Sequence, residues 1–227
     1  MKNKLIIIIL LIILLLNIPQ TSMSLTLSSI DSNEYIILID LYAKTLTLLN
    51  KKTQQEIKTY PIAIGKKSTP SPIGTWQIKS KSLMKGPFGG YWLGLNAPWD
   101  TFGIHGTSNP SSIGSMASNG CIRLYNHNIK ELFNLVDYDT SVIISGGPNW
   151  RFSPYDRDIT PNCKGADVYH IQRILNALGY FNHPADGIYG YSLELAVKQY
   201  KIDHDLYPVD SYIDNDFFKS IGCERFE

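Results

Sequence analysis

The sequence has almost no charge bias. Twenty-one Lys and Arg are set against twenty Asp and Glu over 227 residues, a formal net charge of +1. With no basic stripe and no recognisable motif either, nucleic acid is excluded as a partner, and so is electrostatic coating of an anionic membrane. Cysteine is scarce, with only Cys121, Cys163 and Cys223. The histidines other than His105 (His127, His170, His183 and His204) are scattered, and no Cys or His spacing suits zinc, so no metal and no cofactor are expected. A hydrophobic run long enough to span a bilayer is also missing. Leu5 to Leu16 is all Leu and Ile, but at helical rise it reaches only about 18 Å against a hydrocarbon core of roughly 30 Å.

That run follows a positive head, Met1-Lys2-Asn3-Lys4, and precedes the small residues Ser22-Met23-Ser24. Residues 1–24 therefore read as a secretory signal peptide, with a short membrane anchor as the alternative. Either reading puts the folded part outside the cytoplasmic membrane, with membrane attachment possible only through this segment. In an oxidising compartment two cysteines would pair. A Cys163–Cys223 bridge would staple the last part of the chain by roughly 2–4 kcal/mol, the alternative being three free thiols.

Residues 25–33 are Ser-rich and polar and read as a linker. Strands follow at Tyr35–Leu41, Thr45–Leu49, Ile57–Ile64 and Thr75–Ser80, and a last one at Val142–Ile144. Phe88 to Leu95 is aromatic and Gly-rich and has no clear period. Before residue 147 helical spacing appears once, over Asn126–Val136. Residues 34–146 thus form a mainly β domain with one helix. A polar, Pro-containing linker is expected over 147–160, and three short helices after it, the first with Val168, Ile171, Ile174, Leu175 and Leu178 on one face and Gly179 as its stop. So small an all-α unit has a marginal core.

Chemistry concentrates between Gly103 and Leu124. A thiol is a strong nucleophile only as thiolate, so it needs an imidazole to take its proton and a third group to orient that imidazole. His105 and Cys121 are the only such pair close together in the β domain. Gly120, just before Cys121, lets successive N–H groups turn toward a developing oxyanion.

Ile104-His105-Gly106-Thr107 followed by Ser118-Asn119-Gly120-Cys121-Ile122-Arg123 resembles the signature of the L,D-transpeptidase catalytic (YkuD-type) family. Thr69-Pro70-Ser71-Pro72-Ile73-Gly74, Gly89-Gly90-Tyr91-Trp92 and Phe102-Gly103-Ile104 agree with it in order. The resemblance implies a β-sandwich-like catalytic domain. Within it Cys121 is the nucleophile and His105 the general base, with Ser118 holding His105 through its backbone carbonyl. N–H groups of Gly120 and Cys121 form the oxyanion hole. Arg123 either meets a substrate carboxylate or forms an internal ion pair. Thr107 fixes the His loop, Tyr91 and Trp92 line the acyl-donor cleft, and Asn119 stands where the family usually has His, which bears on rate or substrate fit. The implied reaction is 3→3 cross-linking of peptidoglycan stem peptides through a Cys thioester, or, with water as acceptor, L,D-carboxypeptidase trimming.

The last part of the chain resembles the three-helix peptidoglycan-binding domain. The matching residues include Gly165-Ala166-Asp167-Val168, Leu178-Gly179-Tyr180 and Asp186-Gly187-Ile188-Tyr189-Gly190, which places this domain at 161–223 and implies peptidoglycan stem peptides and glycan as partners. A sortase-like enzyme would have its His much further upstream of Cys, and a papain-like hydrolase would have Cys before His. An inactive wall-binding protein remains the rival from another class, against which the intact His105, Ser118, Gly120, Cys121 and Arg123 set weighs.

Overall fold

The computed structural model describes residues 34–146 and 157–223. The leader or anchor at 1–24, the linker at 25–33 and most of the linker expected over 147–160 lie outside the described residues.

Among the described residues ten strands fold as β1 (Tyr35–Asp40), β2 (Thr45–Asn50), β3 (Glu56–Pro61), β4 (Ile64–Gly65), β5 (Gly74–Met84), β6 (Gly90–Leu95), β7 (Gly103–His105), β8 (Met116–Ser118), β9 (Ile122–Arg123) and β10 (Ser141–Ser145). One helix, α1 (Asn126–Leu135), precedes β10. Eight strands make a sheet in the order β3-β2-β1-β10-β5-β6-β7-β9, and β4 pairs with β8 in a second, two-stranded sheet. The long β5 explains the curl of the large sheet. Its first residues, Gly74 to Gln77, pair with β10, and its later ones, Ile78 to Met84, pair with β6. One strand thereby serves both halves and must bend between them.

Alternation sets the core. Ile37 and Ile39 of β1, Leu46 and Leu48 of β2, Ile78 of β5, Leu93 of β6, Ile104 of β7, Ile122 of β9 and Val142 of β10 are all fully buried. Each such side chain contributes about 1.5–3 kcal/mol by leaving water. Helix α1 closes this face with Ile129 and Leu132, and its Phe133 packs on Tyr91 at 5.1 Å.

The third strand stops earlier than its composition suggests. Pro61 has no N–H to continue a ladder. The next residues change partners: Ala63 exchanges both backbone hydrogen bonds with Arg123, and Ile64 joins β8. The ambiguous stretch before Leu95 resolves into a 3-10 turn at Gly86–Phe88 and then β6.

The C-terminal unit holds α2 (Ala166–Ala177), α3 (Tyr191–Asp203) and α4 (Asn215–Ser220) around a core of its own, with Val168, Ile171, Leu175, Val197 and Phe217 at its centre. Leu178, expected on the buried face of α2, is half exposed beyond the helix end, where Gly179 turns at φ 84°. The unit also begins before 161. Ile159 is buried and bridges Ile213, and Arg157 forms a two-pronged pair with the fully buried carboxylate of Asp167 at 2.8 and 2.9 Å, so residues 157–160 are part of this unit and not linker. No disulfide joins Cys163 and Cys223, and Cys223 is a core residue instead of half a staple. Trp99 stacks edge-on with Trp76 and packs on Tyr169 of α2, and Ala166 belongs to the β domain's core, so the helical unit lies against the β domain.

Candidate active site

Strand register builds the site. β6 and β7 pair antiparallel with Trp92 opposite His105 and Gly94 opposite Gly103, and β7 and β9 pair parallel with Ile104 opposite Ile122 and His105 opposite Arg123. Successive side chains point to opposite faces. Leu93, Ile104 and Ile122 point into the core, so Trp92, His105 and Arg123 form a row on the other face. Cys121, two residues before Arg123, falls on that same face beside Gly103. Glycines at 94 and 103 leave room for the indole. A Cβ on Gly103 would come within 2.6 Å of the Trp92 ring, and one on Gly94 within 2.8 Å of its nitrogen. The ring fills that slot and stacks on His105, 5.6 Å between centroids and 21° from parallel.

The imidazole is buried. Phe88 meets it edge-on at 5.1 Å, and its Nδ1 lies 2.5 Å from the carbonyl of Gly106. A carbonyl only accepts, so Nδ1 carries the proton and Nε2 keeps its lone pair, the tautomer a base needs. Burial, together with the charge of Arg123 and against the pull of the Gly106 carbonyl, lowers the His105 pKa to about 4. The family resemblance gave the orienting role to the carbonyl of Ser118. That oxygen is instead engaged by the N–H of Lys66 at 3.0 Å and the hydroxyl of Thr69 at 3.2 Å, because the stretch after β4 runs alongside β8 and claims it. Gly106, next to the histidine itself, takes the role.

The thiol of Cys121 is partly buried, with Sγ 3.9 Å from the carbonyl of Thr101. Burial pushes its pKa up, while the Gly103 N–H and the Arg123 charge work the other way and Asp100 adds to the rise. The buried imidazole and the partly buried thiol both favour the neutral form at neutral pH. The loop before Cys121 is closed by Ser118, which is itself buried. Its hydroxyl donates to the Cys121 carbonyl at 2.6 Å and accepts from the N–H of Gly120 at 3.0 Å. Gly120 sits at φ 114°, and a Cβ there would lie 2.6 Å from the Phe102 ring. Of the two N–H groups expected for an oxyanion hole, that of Gly120 is therefore occupied, and that of Cys121 has no partner among the described residues.

The guanidinium of Arg123 makes no ion pair or side-chain hydrogen bond among the described residues, so the internal-pair alternative finds no partner. Thr107 is buried and fixed by turn contacts, its hydroxyl accepting from the Asn109 N–H at 3.0 Å. Asn119 is exposed. Tyr91 and Trp92, expected together in one cleft, point to opposite faces because they are neighbours in one strand. Trp92 lies against His105, and Tyr91 packs under α1. Sequence reasoning missed Phe88, Gly106 and Asn126, whose Oδ1 accepts the Thr107 N–H at 2.8 Å. It also missed the Asp100–Phe102 loop that flanks the thiol. Asn126, as the first residue of α1 just after the motif, was the one with a positional signal.

A domain with this curled sheet, and with a thiol and an imidazole on one sheet face, matches a known family. The model described as "L,D-transpeptidase catalytic domain" matches residues 34–144, and one described as "Putative peptidoglycan binding domain" matches residues 164–221. The chain is 46% identical over 113 residues to the "Putative L,D-transpeptidase YkuD" of Bacillus subtilis, covering 49% of this chain and 66% of the relative. It is 43% identical over 116 residues to the protein of the same name in Bacillus licheniformis, covering 51% and 68%. Among solved structures, "L,D-transpeptidase from Mycobacterium smegmatis" aligns at 21% identity and TM-score 0.43, over 50% of this chain and 59% of that one. The chain belongs to the L,D-transpeptidase (YkuD) family. It spans about two thirds of the length of the curated relatives it matches.

Proposed function

We propose that the chain is an extracytoplasmic, cell-wall L,D-transpeptidase that forms 3→3 peptidoglycan cross-links through a thioester on Cys121. The observation that carries this reading is the common face of Cys121, His105 and Arg123. The Nε2 of His105 takes the thiol proton as Sγ attacks the carbonyl of the L-centre residue in a donor tetrapeptide stem. The oxyanion forms near the unpartnered N–H of Cys121. Collapse breaks the bond to the terminal D-Ala, whose amine receives the proton from His105. An amine on a neighbouring stem then attacks the thioester, giving the cross-link and the free thiol. Arg123, whose guanidinium has no side-chain partner among the described residues, offers a planar fork to a stem carboxylate. A neutral resting pair suits this chemistry, because the thiolate then forms only when a substrate is present to be attacked. Water in place of the acceptor amine would make the same intermediate a carboxypeptidase step. The helical unit would hold the enzyme on its polymeric substrate, and the N-terminal segment would direct export.

Intact mass spectrometry with a carbapenem tests the first half-reaction. The expected result is one covalent adduct, lost in Cys121→Ala. Absence of an adduct in a protein that still binds sacculi would overturn the reading in favour of an inert wall binder. Digests of treated sacculi then separate cross-linked from trimmed stems.

A further inference from the structure

The helical unit reaches the loop that flanks the thiol. Between β6 and β7, residues Asn96 to Phe102 carry Trp99, whose ring faces Gly187 of the helical unit so closely that a Cβ there would lie 2.4 Å away. One residue on, the Asp100 carboxylate binds Lys164 Nζ at 2.9 Å through one oxygen and accepts the Thr101 N–H at 2.8 Å through the other. The carbonyl of Thr101 then faces Cys121 Sγ, and the Phe102 ring lies against Gly120.

We infer that Lys164 of the helical unit is a positioning residue for the nucleophile, acting on Cys121 through Asp100 and Thr101. This rests on Cys121 being the nucleophile and extends the role of the helical unit from holding substrate to setting the thiol. Lys164 does two things. It pairs with the carboxylate whose charge bears on the thiol, and through that carboxylate it fixes the peptide whose carbonyl meets Sγ. Among the described residues, the charged groups that act on that thiol are Arg123 from β9 and Asp100 from the loop, Asp100 being the one bound by the helical unit, while His105 of β7, on the same sheet face, is neutral at pH 7. Both ends of the Lys164–Asp100 pair are more than half exposed, so substitutions there leave either core intact.

The test follows the pH dependence of iodoacetamide alkylation at Cys121 in the full chain, read by peptide mass spectrometry so that Cys163 and Cys223 do not contribute. Lys164→Gln is expected to raise the apparent thiol pKa by about half a unit, slowing alkylation at pH 7 by about threefold. Lys164→Arg is expected to restore the wild-type profile. In an Asp100→Asn background, Lys164→Gln is expected to have no further effect. An unchanged profile in Lys164→Gln, or the same shift with and without Asp100, would overturn the inference. Alkylation needs no transpeptidase activity. A protein with the expected alkylation behaviour that forms no carbapenem adduct would therefore sink the proposed function, and with it the word nucleophile, while the coupling of Lys164 to the Cys121 thiol would stand as measured.

Discussion

His105 shows how much one side chain's surroundings decide. Enclosed by Trp92 and Phe88 and beside the Arg123 charge, its imidazole stays neutral down to about pH 4. As the base for Cys121 it remains competent where an exposed histidine, with pKa about 6.5, would already be protonated. Carbapenem acylation rates should accordingly fall on the acid side with a midpoint near 4, not near 6.5, and His105→Ala should lower the rate by about 10²–10⁴-fold. An acid limb centred near 6.5 would contradict the buried site. The same shift links to stability. The unfolded chain binds a proton at about 6.5 and the folded one only at about 4, so stability rises with pH between those values and is level above them, by on the order of 3 kcal/mol from this residue. Gly120 makes a second residue-scale case. At φ 114° and against the Phe102 ring, Gly120→Ala must both strain the backbone and displace the ring. A loss of about 2 kcal/mol or more in urea unfolding is expected, together with loss of carbapenem acylation, because the displaced segment carries the thiol.

At the scale of elements, the site depends on how short strands are pinned. β7 has three residues and β9 two, too few to hold a register by pairing alone. Ala63 brackets β9 on its far side, and α1 clamps the loop after β7 through Asn126. Asn126→Ala should cost only about 1 kcal/mol of stability, the ordinary value of one such bond, yet slow acylation by tenfold or more because the His105 loop loses its clamp. Matched loss in stability and no loss in rate would show the clamp to be idle. These elements also mark what the sequence could and could not disclose. β1, β2, β5 and α1 were legible because each is long enough for its period to appear. So were the faces of Val168, Ile171 and Leu175. β4, β7, β8 and β9 are too short for any period, and the parallel pairing of β7 with β9 joins segments separated by the whole 106–121 stretch. The candidate nucleophile and base could therefore be named from the motif, while their surroundings and geometry could not. Gly106 in place of Ser118 as the imidazole's partner, the occupied Gly120 N–H and the opposed Tyr91 and Trp92 all follow from register.

Over the whole molecule, the β domain and the helical unit each have a core, but the aromatic contact between them is shared. Trp76 and Trp99 are both nearly buried, and Tyr169 of α2 covers them at 5.4 and 5.8 Å. Removing the helical unit would return two indoles to water, which couples the folding of one part to that of the other. Calorimetry of the full chain should thus give one unfolding transition, with calorimetric and van't Hoff enthalpies in agreement. Trp99→Ala should cost about 3–5 kcal/mol, as large aromatic truncations in packed sites do. It should also split the trace in two, because it removes the residue that touches Trp76, Tyr169 and the Gly187 turn at once. Two separate transitions in the unaltered protein would mean that the aromatic contact is too weak to link the units. The helical unit could then influence Cys121 only through the exposed Lys164–Asp100 pair, without the packing that fixes the loop beneath it.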